Sequence, residues 1–227
     1  MINIKILATI PLFCFSMASQ AAIFFGEDLN PSSSTTNSDD ANTSFLSQLT
    51  GVGTEDFETY SNGTTGPLII DFGSAGTATL SGSGSVSDGC CGRFATSGVN
   101  MWETNENFTI TFSDAISAFG FYGTDVGDIG GQITLDFLNG SSTSYTVNST
   151  INADDGSLLF WGIVDEANSF TSITFGNTNN SDWFGFDDMT IGTSQQIVTN
   201  AVPEPTTLAL LGLGLAGFGF SRNKKKT

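Results

Sequence analysis

Apolar and polar residues alternate with a period of two through the middle of this chain. Phe108, Ile110 and Phe112 fall on one face of a Phe-Thr-Ile-Thr-Phe run. Ile133, Leu135 and Phe137 do the same, as do Ile173 and Phe175. Such alternation predicts half-buried strands. Further strand-like runs cover 67–72, 116–122, 143–148, 158–164 and 183–191. Asn62-Gly63, Asp88-Gly89, Asn139-Gly140 and Asp155-Gly156 punctuate them with turn signals. No helix-length periodic segment competes, so residues 51–192 are expected to form an all-β domain: an antiparallel β-sandwich, jelly-roll-like. Residues 22–50 read as a Ser/Thr/Asn-rich linker with room for a short helix at 44–49, and 193–202 as a second linker.

Both ends break the pattern. Residues 1–21 have a basic Lys5, an apolar run from Ile6 to Phe15 and small residues at Ser19-Gln20-Ala21. This is the pattern of a secretory signal peptide, with cleavage expected after Ala21 and Ala22 as the alternative site. At the other end, Val202-Pro203-Glu204-Pro205 precedes an uncharged run from Thr206 to Ser221 and a basic tail of Arg222, Lys224, Lys225 and Lys226. The prolines force extended chain before the apolar run. Sixteen helical residues span about 24 Å of a ~30 Å hydrocarbon layer, enough for a transient transmembrane stop. Thr206, Leu208, Leu211, Leu215 and Phe220 belong to that segment, and the tail obeys the positive-inside rule.

In order and content, this ending resembles the PEP-CTERM sorting signal, occupying 203–227 with Val202 leading in. The resemblance implies an exosortase, an integral-membrane transpeptidase-like enzyme, cutting near Pro203-Glu204-Pro205. It also implies signal peptidase and export machinery as partners, passage through the inner membrane, and a final place at the surface or in the matrix of a Gram-negative bacterium that makes exopolysaccharide. More loosely, Ile116–Asp125, Phe160–Asp165 and Phe184–Gly192 resemble the sandwich bodies of PEP-CTERM proteins. A last strand with paired Asp is also similar to jelly-roll carbohydrate-binding modules, where acids on the first and last strands hold a structural calcium.

Charge narrows the function classes. The chain has 27 Gly, 20 Phe and no His, and only 13% charged residues. Between residues 22 and 202 one base, Arg93, faces 22 acids, a net of −21. That balance excludes nucleic-acid binding and adhesion to an anionic membrane surface. Two uses of the acidity stay open, solubility and divalent-cation binding. Absence of His removes Ser-His-Asp and Cys-His catalysis and His-ligated zinc. A glycosidase-like carboxylate pair survives, but 22 acids make some pair inevitable. No catalytic residue is assigned, and the chain is not expected to be an enzyme.

Asp187 and Asp188 are adjacent in an apolar strand, so one must face inward or toward a sheet edge. Either calcium, joined by Glu58, or backbone amides and solvent would satisfy them. Asp125 and Asp128, on a Gly-rich loop, form a second candidate for calcium or a plain turn. Cys90-Cys91 could close a vicinal disulfide, bridge between molecules or stay reduced. Trp102, Trp161, Trp183, Tyr60, Tyr122 and Tyr145 are either core or a sugar-stacking platform. Two functions remain: a non-catalytic surface or matrix protein associated with exopolysaccharide, and a carbohydrate-binding module recognising a specific glycan. Buried aromatics favour the first; an exposed pair on one sheet face favours the second.

Overall fold

A computed structural model describes residues 21–198. The expected signal peptide, cleavage site, sorting motif, transmembrane segment and basic tail lie outside the described residues, apart from Ala21. Among the described residues, no helix is long and apolar enough to cross a membrane.

Among the described residues, thirteen strands make two antiparallel sheets in a sandwich, accompanied by one α-helix. The first sheet orders β1 (Ala22–Asp28), β11 (Leu158–Val164), β8 (Ala118–Thr124), β13 (Phe184–Gly192), β6 (Met101–Thr104) and β5 (Ser85–Ser87), with β2 (Gly53–Glu55) also paired to β13. The second orders β10 (Ser142–Thr146), β9 (Ile133–Leu138), β12 (Phe170–Asn177), β7 (Phe108–Ile116), β4 (Thr77–Gly82) and β3 (Leu68–Asp71). The second sheet shows the predicted alternation: in β7 and β9, Phe108, Ile110, Ile133 and Leu135 are buried while Thr111 and Asp136 are exposed. Asn139, Gly140 and Ser141 make the three-residue turn of the β9–β10 hairpin, with Gly140 at φ 92° where a side chain is disfavoured.

Aromatic rings fill the space between the sheets. Phe108 stacks on Phe175 at 4.3 Å, and Phe121 meets Phe175 at 5.3 Å and Phe186 at 5.7 Å. Offset and edge contacts of this kind add to area burial.

The segment 22–50 is not a linker. Residues 22–28 form β1, paired along its whole length with β11, and α1 spans Thr36–Leu46 rather than 44–49. The helix covers the outer face of the first sheet, which is why β8 and β11 are buried on both faces. Its anchor is Phe45, fully buried, with its ring 5.6 Å from Phe160 and 5.8 Å from Phe24. The floor beneath is Gly120 paired with Gly162. A Cβ on either would stand 2.8 or 2.9 Å from the Phe45 ring. Asp28, the last residue of β1, caps α1 by accepting from the amides of Asn37 (3.2 Å) and Ser38 (2.8 Å) and from the Ser38 hydroxyl (2.7 Å). After β13, Ile197 bridges back to Leu49, and both are buried. The packed unit therefore extends beyond the expected 51–192 at both ends, taking in residues read as the start of the second linker.

Candidate functional site

β13 changes partner halfway along its edge. Phe184–Phe186 pair with β6, Met189–Ile191 pair with β2, and a register shift lies between Asp187 and Thr190 on the β8 side. Asp188 takes a left-handed φ of 47° at this bulge. The bulge lets two adjacent acids both turn toward the long connection from 88 to 100. Asp187 Oδ2 accepts from the amides of Thr96 (2.7 Å) and Ser97 (3.0 Å) and from the Thr96 hydroxyl (3.0 Å). Asp188 accepts from the hydroxyls of Thr96 (2.9 Å) and Ser97 (2.8 Å). Glu58, on the surface, accepts from the amides of Val99 (2.7 Å) and Asn100 (2.5 Å), which hold its carboxyl below the usual range. Glu58, Asp187 and Asp188 are thus not gathered around one point. They pin one loop in two places, and amides and hydroxyls fill the role considered for calcium. Burial and the Asp188 carboxylate push the pKa of Asp187 up to about 7 against the pull of those amides.

The second acidic candidate gathers more than its two predicted members. Thr124 at the end of β8 pairs with Leu158 at the start of β11 and with Gly185 near the start of β13. Connections 125–132, 147–157 and 178–183 therefore meet at one end of the sandwich. Asp125, Asp128 and Asp155 there each place an oxygen within 4.8 Å of the others. Asp125 is at φ 63° and Gly127 at φ 92°, a tight turn that brings 125 and 128 together. Asp125 Oδ1 accepts from the Gly156 amide (2.9 Å), and its Oδ2 lies 3.4 Å from Arg93. Burial, then the nearby Asp128 and Asp155 charges, push the pKa of Asp125 up to about 6, with the Gly156 amide and Arg93 opposing. Asp182 lies behind Asp128, wholly buried, and accepts from the Gly131 amide at 2.7 Å. Burial and contact with Asp128 push its pKa up.

Asp155 and Asp182 were not among the expected site residues. Asp155-Gly156 reads only as a turn, and Asp182 sits in a polar Asn-Asn-Ser-Asp stretch. The usable signal is positional, since each acid lies two or three residues before a buried strand that neighbours β8.

Cys90 and Cys91 are free, exposed thiols rather than a disulfide. Arg93 bridges Asp125 and Glu103 at 3.4 Å each and lies across the Trp183 ring at 5.7 Å. Of the aromatics weighed for sugar stacking, Trp102, Trp161 and Tyr122 are buried, and Tyr60 and Tyr145 pack partly buried against the core. Trp183 alone among them is exposed, at 41%. A groove of about 480 Å³ runs beside the acid cluster, between Asn30–Ser32 and Gly92, Phe94 and Asp155.

No curated protein matches the chain. Among solved structures, it is similar to the K2 cleaved adhesin domain of Lys-gingipain, at 13% identity and TM-score 0.39 over 63% of this chain and 98% of that one. It is also similar to TmCBM61 in complex with β-1,4-galactotriose, at 18% identity and TM-score 0.33 over 61% and 94%. A third is the C-terminal family 22 carbohydrate binding module of Clostridium thermocellum Xyn10B, at 11% identity and TM-score 0.36 over 64% and 95%. The PEP-CTERM protein-sorting motif matches residues 201–224, where the prolines, apolar run and basic residues stand in order. The chain therefore carries the PEP-CTERM sorting motif, which marks it as an exosortase-sorted protein exported to the bacterial surface.

Proposed function

We propose that the exported sandwich is a non-catalytic component of the cell surface or extracellular matrix, associated with exopolysaccharide. The observation that carries this reading is the placement of the aromatics. Trp102, Trp161 and Tyr122 are buried in the packing of the sheets and of α1. Trp183 has no second exposed ring among the described Trp and Tyr residues placed beside it to form a stacking pair. The absence of His supports a non-catalytic role, because it removes the usual general base. In this reading an exosortase removes the tail after export, and the net negative charge keeps the body soluble outside the cell.

The test fractionates the native host and analyses the mature protein by mass spectrometry. The expected protein begins at residue 22 or 23, lacks the lysine tail and partitions with the exopolysaccharide fraction. Full-length protein in the cytosol would overturn the reading. A glycan array is expected to show no discrete ligand. Binding to one glycan that disappears on Trp183→Ala would replace the structural role with glycan recognition.

A further inference from the structure

We propose that Asp125, Asp128 and Asp155, backed by the buried Asp182, form a calcium site at the end of the sandwich where three connections meet. Oxygens around a calcium ion at about 2.4 Å stand at most about 4.8 Å apart. The oxygens of Asp125, Asp128 and Asp155 lie within 4.8 Å of one another, a spacing that one ion can bridge. Closeness of acids does not by itself specify an ion. The independent observation is Asp182, which has no exposed surface. Its Oδ2 takes the Gly131 amide, but its Oδ1 meets no donor. This carboxyl lies against that of Asp128, whose own Oδ1 is also buried without a donor. Leaving such a buried acceptor unsatisfied costs about 1–3 kcal/mol, and more when it is charged.

No basic side chain can relieve them. Arg93 is the sole Lys or Arg between residues 21 and 198, and its ion pairs go to Glu103 and Asp125. What remains to sit between the Asp128 and Asp182 oxygens is a proton or a cation. A proton would satisfy that one pair and leave Asp155 facing Asp125 and Asp128 with only Arg93, itself shared with Glu103, to offset their charge. One divalent ion held by Asp125, Asp128 and Asp155 offsets that charge and eases the repulsion between Asp128 and the buried Asp182 behind it. The donors are all hard oxygens, with no imidazole in the chain, which selects calcium over zinc. Asp155 is exposed, so the site opens to solvent beside the groove. Ligands from two separate connections, 125–132 and 147–157, would make the ion a clamp, and extracellular calcium modules bind with Kd of about 10⁻⁴–10⁻³ M. The inference is independent of the role proposed above.

The exported protein, stripped with a chelator, is titrated with CaCl2 and followed by thermal melting and calorimetry, with MgCl2 at equal ionic strength alongside. Calcium should raise the Tm more than magnesium does. Asp155→Asn should weaken calcium binding about tenfold or more, while Asp154→Asn, its exposed neighbour outside the cluster, should not. Asp155 suits the test because it accepts no hydrogen bond among the described residues, so its loss spares the fold. Calorimetric stoichiometry should be one ion per chain. A wild-type melt unmoved by calcium or chelator would mean that Asp128 and Asp182 share a proton, and would overturn the proposal. So would equal responses to calcium and magnesium, or equal effects of the two variants, since diffuse acidity would then account for both.

Discussion

Replacing Phe45 by Ala should destabilise the domain by about 3–5 kcal/mol, the range for a fully buried Phe whose site cannot collapse. The structure supplies the reason for the high end. The ring is fully buried and wedged between Phe24 and Phe160, over paired Gly120 and Gly162 that have no side chains to fill the void. A domain of this size loses roughly 2–4 °C per kcal/mol, so the Tm should fall by about 6–20 °C. Denaturant unfolding gives the free energy, and limited proteolysis of the folded variant locates the loosened region, expected between residues 29 and 48. Leu46→Ala is the control: its side chain is 38% exposed, and its loss should cost well under half as much. The converse change, Gly120→Ala, should act in the same direction, because its Cβ would stand 2.8 Å from the Phe45 ring. A loss below about 1 kcal/mol with unchanged proteolysis would refute the claim that this helix is part of the fold.

Two further outcomes follow from single carboxylates. Burial raises Asp28, but the Ser38 and Asn37 hydrogen bonds outweigh it and hold its pKa below the usual carboxylate value. Its stabilisation is therefore present above about pH 4 and lost as pH falls. Asp28→Ala should cost about 0.5–2 kcal/mol, in the range of a lost N-cap, and should speed hydrogen exchange at Asn37 and Ser38. Asp187 runs the other way: with a folded pKa of about 7, its contribution is intact below about pH 4 and lost as pH rises through 7. Wild type should lose up to about 1.4 kcal/mol per pH unit over that window relative to Asp187→Asn. Parallel stability–pH curves for the two proteins would refute the assignment.

The strands were legible where one face is wet. In β7, β9 and β12 the apolar positions follow the pleat, and the runs written at 108–112, 133–137 and 173–175 are strands in the structure. The helix was not legible, for two physical reasons. Its sequence, Thr-Asn-Ser-Asp-Asp-Ala-Asn-Thr-Ser-Phe-Leu, is poor in helix formers, and its buried stripe is Ser38, Ala41 and Phe45. Spacings of three and four are right for a helix, but two of the three residues carry almost no hydrophobic signal. Its cap also comes from Asp28, outside any local capping box, so no start signal adjoins it. Once the helix is placed, the unbroken apolar runs 118–124 and 158–164 make sense, because those strands have cover on both faces.

The site was half legible for a related reason. A buried carboxylate in a body with one base needs some partner, and that argument pointed first to the adjacent Asp187 and Asp188, one of which must face inward or toward a sheet edge. It gave the need correctly but could not give the partner, because Thr96 and Ser97 lie some ninety residues away in sequence. Loop amides answer Asp187 and the Thr96 and Ser97 hydroxyls answer Asp188, so that need is met without an ion. The same argument applied to Asp182 ends differently, since only one of its two oxygens finds an amide and the facing side chain is another acid. Local sequence hid this case. Asp182 and Asp155 flank different strands, and only the pairing of β8 with both β11 and β13 brings their connections to the same end as Asp125. The discriminating quantity is therefore the number of donors that each buried oxygen meets after folding. By that measure the paired acids of the last strand have their acceptors met by one loop, and the proposed calcium site rests on the loop end, where buried oxygens of Asp128 and Asp182 meet no donor.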